Sequence, residues 1–371
     1  MTPRPADRVR VGVIGCGLIA QVMHLHYLRE LRDRFEIAAL CDLSPGTARE
    51  VADAYGVERW FTDWRELLAS DLDAVMVLTS ASHAPPAIAA ARRGLHVFVE
   101  KPMCLTPREA DEMIAACREA NVTLTVGYHK RHDQAYRLAA ERLREMPQLR
   151  YVRVTTLEAS LVPYVSHYPL LRVADVPPQA IEQAVAEREA LIDEALPFAP
   201  TADLRRAYDG LLLDSAVHEL NLLRSLIGDP TEVLNAEFWD DGRSLQTVLA
   251  YPGDVRAAVG LVSLPELKHY SQELAFYASD RRMVLRFPSP FLRSEPTVLE
   301  LEDQVGGMPW HHEVVASHEE AFKLELAHFH ESVVHGRAPV TSGEDAKRDI
   351  ELAIAVVKAA ATRQAQPYRR H

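Results

Sequence analysis

A chain of 371 residues, 48% hydrophobic and 25% charged, is too long for one core and too apolar for disorder, so it predicts two globular domains and excludes a small stapled scaffold. Its 53 acidic residues against 41 basic ones leave a formal net charge of -12. A field of that sign repels phosphate backbones and anionic membranes, which excludes nucleic acid and membrane surfaces as partners.

Four cysteines, Cys16, Cys41, Cys104 and Cys117, sit in apolar stretches without metal-type spacing and read as reduced core thiols. The N-terminal stretch leads into a strand rather than an apolar leader, and no apolar run reaches the about 18 residues of a membrane span, so the expected location is the cytoplasm.

In chain order, residues 10–15 are apolar between charge and glycine and read as a strand buried on both faces, followed at once by a helix. Residues 36–41 predict a second strand, 47–55 and 64–69 helices, and 74–78 another strand. Then 86–93 is helical, 96–99 extended, 107–120 helical and 123–126 extended. Alternation across short links predicts a doubly wound parallel sheet, an α/β Rossmann domain over residues 1–128.

The pattern changes after about residue 150. Extended runs at 151–158, 232–239, 246–251, 256–263, 272–278 and 283–287 predict an antiparallel sheet in an α+β domain over residues 129–371. Between its first two strands lie two predicted helices, 179–196 and 211–226; the first places Ile181, Val185, Ile192 and Leu196 on one face. Proline-bracketed and acid-rich, residues 161–208 read as an insertion whose helix covers the substrate cleft. A last helix over 345–361, capped by Ser342 and Asp345, carries the stripe Ile350, Ala353, Ile354 and Val357 and is expected to pack back on the first domain.

Gly15-Cys16-Gly17-Leu18-Ile19-Ala20 matches the dinucleotide-binding pattern in the strand–turn–helix context that gives it meaning. The first glycine permits the tight turn and the second lets backbone approach a pyrophosphate. Ala20 keeps helix close to strand, and the anion lies on the helix N-terminus. Asp42 ends the second strand, where a carboxylate accepts from adenosine ribose hydroxyls and repels a 2′-phosphate, so NAD is expected over NADP, a preference that Arg49, close by in sequence, weakens.

With these residues the sequence resembles the Gfo/Idh/MocA family, the glucose-fructose oxidoreductase and inositol dehydrogenase group. The resemblance also rests on Thr79-Ser80-Ala81-Ser82-His83, on Glu100-Lys101-Pro102, and on Asp214 with His218. It implies a Rossmann domain joined to an α/β domain with a large open antiparallel sheet whose outer face makes an oligomer interface, a dimer or tetramer. Thr79, Ser80 and His83 then lie at the cofactor, and Glu100 and Lys101 approach the nicotinamide, with a cis peptide before Pro102. The chain departs from the family pattern where Tyr208-Asp209-Gly210-Leu211-Leu212-Leu213 replaces a glycine-rich run, and in the length of the insertion.

Four residues apart on a predicted helix, Asp214 and His218 project from one face, with Asn221 near the same stripe. Alcohol oxidation needs a base for the hydroxyl proton while hydride leaves carbon, and a histidine suits that task. His218 is the candidate base, Lys101 the cation at the developing alkoxide, and Asp214 their orienting group. Tyr128, His129, Lys130 and Arg131 follow the last strand of the first domain and are candidates for substrate hydroxyls. His311, His312 and His318 lack a metal-type spacing, and no metal is expected.

The expected activity is hydride transfer between NAD and a secondary hydroxyl of a sugar or polyol. Two alternatives stay open: transient oxidation within an elimination, glycoside cleavage or epimerisation, and a non-enzymatic dinucleotide sensor.

Overall fold

The computed structural model describes residues 7–80, 82–146 and 148–364, so Ala81 of the resemblance lies outside the described residues. The chain forms two compact units assembled from separated stretches. The first comprises the chain through His129 with Tyr168–Ala195 and Phe322–Ile350; the second comprises Lys130–His167, Leu196–Ala321 and the chain from Glu351 onward.

In the first unit, β1 (Val9–Ile14), β2 (Phe35–Cys41), β3 (Trp60–Phe61), β4 (Ala74–Val77), β5 (His96–Glu100) and β6 (Leu124–Gly127) form a six-stranded parallel sheet of order β3-β2-β1-β4-β5-β6. The order reverses between β1 and β4, the crevice at which open α/β sheets bind ligands beyond the strands' carboxyl ends. Helices cover the sheet with starts written in the sequence. Ser44 caps Pro45–Tyr55, and Thr106 with Glu109 forms a capping box on Pro107–Glu119.

The helix after β1 opens differently. Ala20–His24 is a π-helical turn before the α-helix Leu25–Glu30, and it leaves the His24 ring fully buried. The helix Ala321–His335, unassigned from sequence, adds Phe322, Leu326 and Phe329 to the same core, with Phe329 edge-on to Phe98 at 5.5 Å.

The insertion departs from expectation. Its helix, Pro178–Ala195, buries Ile192 and Ala195, whereas Ile181 and Val185 are 52% and 56% exposed. The four-residue apolar face is therefore not a buried one; only its C-terminal end packs. Tyr168–Ala195 clusters with the first unit, fastened by Arg188 to the Ser80 carbonyl at 2.5 Å and by Arg108 to Glu194 at 2.8 Å.

In the second unit, β7 (Tyr151–Ala159), β8 (Glu232–Trp239), β9 (Ser244–Tyr251), β10 (Val255–Leu264), β11 (Ser271–Tyr277), β12 (Arg282–Phe287), β13 (Val298–Val305) and β14 (Met308–Val315) make an eight-stranded sheet of order β14-β13-β12-β11-β7-β10-β9-β8. Every neighbouring pair is antiparallel except β7 and β10, which run parallel. The sheet is thus mixed at its centre, because β7 reaches its neighbours through long connections that impose no hairpin direction.

Where one α-helix was expected over 211–226, the chain is π-helical over Ala207–Ala216 and α-helical over Val217–Ile227. The wider turn buries Leu211, Leu212 and Leu213 together while Gly210 and Asp214 stay exposed.

Candidate active site

The glycine loop has the conformation its residues predict. Gly15 has φ +98°, and a Cβ there would stand 2.8 Å from the backbone of Leu78, so only glycine fits. A Cβ on Gly17 would meet nothing within 4 Å, so its backbone faces open space. Leu18 and Ile19 begin the helix, and Ala20 is fully buried against the sheet. Asp42, half-buried at the end of β2, accepts from the Cys16 amide at 2.8 Å and the Ser44 amide at 2.9 Å, which ties it to the glycine loop.

These features fit a dinucleotide: a cradle of backbone facing open space, a carboxylate beside it, and a buried Thr79 hydroxyl oxygen with no partner among the described residues. Ser80 is exposed after β4, its carbonyl held by Arg188. The His83 ring is buried between the Thr79 carbonyl at 2.7 Å and the Pro102 carbonyl at 2.9 Å, and burial lowers its pKa. It braces the loop after β4 against the loop after β5.

At the end of β5, the Lys101–Pro102 peptide is cis. Glu100 is buried, with Oε1 at 2.6 Å from His24 Nε2 and Oε2 accepting from the Lys101 amide at 3.0 Å. Glu325 lies in the same core, where burial and the charge of Glu100 push its carboxyl well above the usual range. Tyr128 and His129 are buried as well, the latter stacked on Phe322 at 3.9 Å between centroids. Sequence reasoning missed His24 and Glu325. His24 had a signal, a polar residue among Ala20, Met23 and Tyr27 on the buried side of its helix, whereas Glu325 lay in an unassigned stretch.

In the second unit, Asp214 is exposed at the π-helical end and His218 half-buried in the first turn of Val217–Ile227. Asn221, buried on that helix, accepts from Arg131 Nη1 at 3.1 Å, so Arg131, Asn221 and His218 belong to one local arrangement. Behind it runs a polar chain the sequence did not reveal. Buried Glu219 accepts from Thr156 Oγ1 at 2.7 Å and from the Gln272 amide, and the Gln272 carbonyl accepts from buried Lys130. Lys130 Nζ also stands 5.4 Å from the Phe287 ring centroid. Lys130 is therefore part of the core of this unit.

Among the described residues no group of three or more His, Cys, Asp or Glu side chains could hold a metal ion, and no helix is long and apolar enough to cross a membrane. All four cysteines are buried and free, with burial pushing the Cys41 and Cys117 thiols up to about 12.

Residues 9–128 match the model of an oxidoreductase family with an NAD-binding Rossmann fold. Over 367 residues the chain is 25% identical to myo-inositol 2-dehydrogenase of Thermotoga maritima, covering 94% of this chain and 96% of that one. Levoglucosan dehydrogenase in complex with NADH shares the fold with a TM-score of 0.74 at 19% identity, over 96% of this chain and 97% of that one. A 3-ketoreductase from Actinomadura kijaniata in complex with NADP does so with a TM-score of 0.71 at 22% identity, over 95% and 97%. Glycine motif, strand order and Glu-Lys-Pro converge with the family match: residues 9–128 form the NAD-binding Rossmann domain of the Gfo/Idh/MocA oxidoreductase family, and the whole chain is similar to its dehydrogenases.

Proposed function

We propose that this enzyme transfers a hydride between NAD and a secondary hydroxyl of a sugar or polyol of the inositol type. The observation that carries the reading is the placement of Lys101 at the carboxyl end of β5, on the sheet edge that also bears the glycine loop after β1 and the Thr79 loop after β4. The nicotinamide of a bound NAD would supply the hydride acceptor.

The chain's own residues do the rest. His218 takes the hydroxyl proton, Lys101 stabilises the negative charge that develops on that oxygen, and Asp214 orients the pair. Glu100, fixed by His24, holds the Lys101 backbone through its amide. Tyr128, His129 and Arg131 serve substrate hydroxyls. Gly15, Gly17, Leu18 and Ile19 cradle the pyrophosphate, Asp42 accepts from the adenosine ribose, and Thr79, Ser80 and His83 form the loop beside it. Asp42 repels a 2′-phosphate, which favours NAD over NADP.

NADH formation across a panel of inositols and sugars tests the substrate class. His218→Ala should lower turnover by about 10²–10⁴-fold with NAD affinity little changed. The double variant with Lys101→Ala should be little worse than the poorer single one, as for residues acting as a unit. Near-normal turnover of His218→Ala at neutral pH would move the base elsewhere, first to His129 or Tyr128.

The open sheet is also proposed as a homo-oligomer interface, since Leu234 and Trp239 on β8 and Met308, Trp310 and Val315 on β14 remain exposed. A monomeric mass by light scattering would rule it out.

A further inference from the structure

Residues 171–175 of the insertion run along the nucleotide-binding unit from the first turn after the glycine loop to the start of the helix Pro45–Tyr55. At one end Gln21 clamps Leu171 twice, its Nε2 donating to the Leu171 carbonyl at 2.9 Å and its Oε1 accepting from the Leu171 amide at 2.9 Å. The same Nε2 reaches the Cys16 carbonyl at 2.7 Å, inside the glycine loop. In the middle, the Val173 amide donates to Thr47 Oγ1 at 3.0 Å, and the Val173 carbonyl lies 3.2 Å from Ser44 Oγ. At the far end Asp175 Oδ2 accepts from the Gly46 amide at 2.8 Å, and Oδ1 accepts from the Ser44 hydroxyl. The approach is close: a Cβ on Gly46 would stand 2.7 Å from both Asp175 Oδ2 and a Val173 methyl.

The stretch just past Asp42 therefore has no backbone donor left between Ser44 and Thr47. The Ser44 amide serves Asp42, Pro45 has none, the Gly46 amide serves Asp175, and the Thr47 amide serves Ser44 Oγ at 3.0 Å. Those N–H groups, with the positive end of the helix dipole, are what an anion beyond β2 would use. An internal carboxylate holds them instead. The Ser44 hydroxyl and the Gly46 amide keep the Asp175 carboxyl below its usual range, so it carries full charge at neutral pH. It is solvent-exposed, and its negative charge adds to that of Asp42.

We propose that Asp175 is a specificity-determining residue for the cofactor: the insertion places its carboxylate on the amide donors a 2′-phosphate would need, and NADP(H) is excluded by occupancy as well as by charge. This rests on the reading of Asp42 as the ribose-binding carboxylate. It gives the insertion a task at the cofactor, in place of a cover over substrate alone.

Fluorescence titration of the full chain with NADH and NADPH tests it without turnover. The unaltered enzyme should prefer NADH. Asp175→Ala should tighten NADPH by about tenfold, with NADH affinity within about twofold, and the gain should shrink at high salt because the charge is exposed. Asp175→Asn keeps an acceptor on the Gly46 amide and removes only the charge, so it should show part of that gain and guards against a variant that loosens the segment. If the unaltered enzyme binds NADPH as tightly as NADH, the cofactor reading itself fails. If it prefers NADH while neither substitution changes NADPH affinity, Asp42 alone discriminates and the role assigned to Asp175 is wrong.

Discussion

Glu100 and Glu219 are both buried glutamates next in sequence to a proposed catalytic residue, Lys101 and His218, yet the two units satisfy them by different chemistry. In the second unit the negative charge is matched by a cation. Gln272 bridges Glu219 to Lys130, its amide donating to one and its carbonyl accepting from the other. In the first unit Glu100 meets the His24 ring and its neighbour's amide, and a second carboxyl, Glu325, shares the core. The first solution depends on opposite charge carried through an amide, the second on a proton retained by the neighbouring acid. Either way the buried carboxylate anchors the backbone from which the reactive side chain projects.

The largest effect should come from breaking the charge-matched network. Lys130→Met keeps much of the apolar stem but leaves Glu219 buried without its cation, a change that costs about 3–5 kcal/mol in comparable pairs. Urea denaturation should show a much lower midpoint. Adding Glu219→Gln should restore part of the loss, since an uncharged amide no longer needs the lysine. A double variant as unstable as Lys130→Met alone would mean that packing of the Lys130 stem, rather than charge balance, sets the cost.

A smaller loss is expected on the other side. His24→Leu fills the same space beside Phe98 and Phe322 but removes the 2.6 Å contact to Glu100, at about 1.5–3 kcal/mol for a bond to a charged group. Because Glu100 also holds the Lys101 amide, turnover should fall more than NAD affinity, separating this change from a purely structural one. Equal losses in both would assign His24 to the core alone.

Much of this was legible beforehand where local chemistry decides the structure. The apolar β1 and β4, Gly15 with its forced turn and Asp42 at a strand end were all set by neighbours in sequence. What sequence hid was long-range or periodically ambiguous. The hairpin of β13 and β14 carries a Gly306-Gly307 turn, a recognisable signal, but β14 is exposed at nearly every position and shows no apolar alternation. The Glu219–Gln272–Lys130 chain joins residues far apart in sequence, and no spacing rule connects them. The π-helical turns change which side chains share a face, so Asp214 and His218 differ in exposure although four apart. Asp175 likewise reads as one acid in an acidic loop until its contacts with Ser44 and Gly46 are seen.

The smallest effect distinguishes the two solutions by pH. Glu325 has no exposed surface, and neither carboxyl oxygen has a hydrogen-bond partner among the described residues. Burial first, and the charge of Glu100 second, raise its pKa well above the ordinary 4.5. In the unfolded chain this group loses its proton near that ordinary value, while in the folded chain it keeps it to higher pH. Over the interval between, the folded state binds more protons, so stability is full below the unfolded value and falls as pH rises toward the folded one. Glu325→Gln retains the shape and the neutral state and deletes the titration. Its urea midpoint should match that of the unaltered enzyme near about pH 4 and rise modestly above it as pH increases past the ordinary carboxylate range. Parallel stability profiles would show that Glu325 ionises normally in the folded chain beside the charge of Glu100.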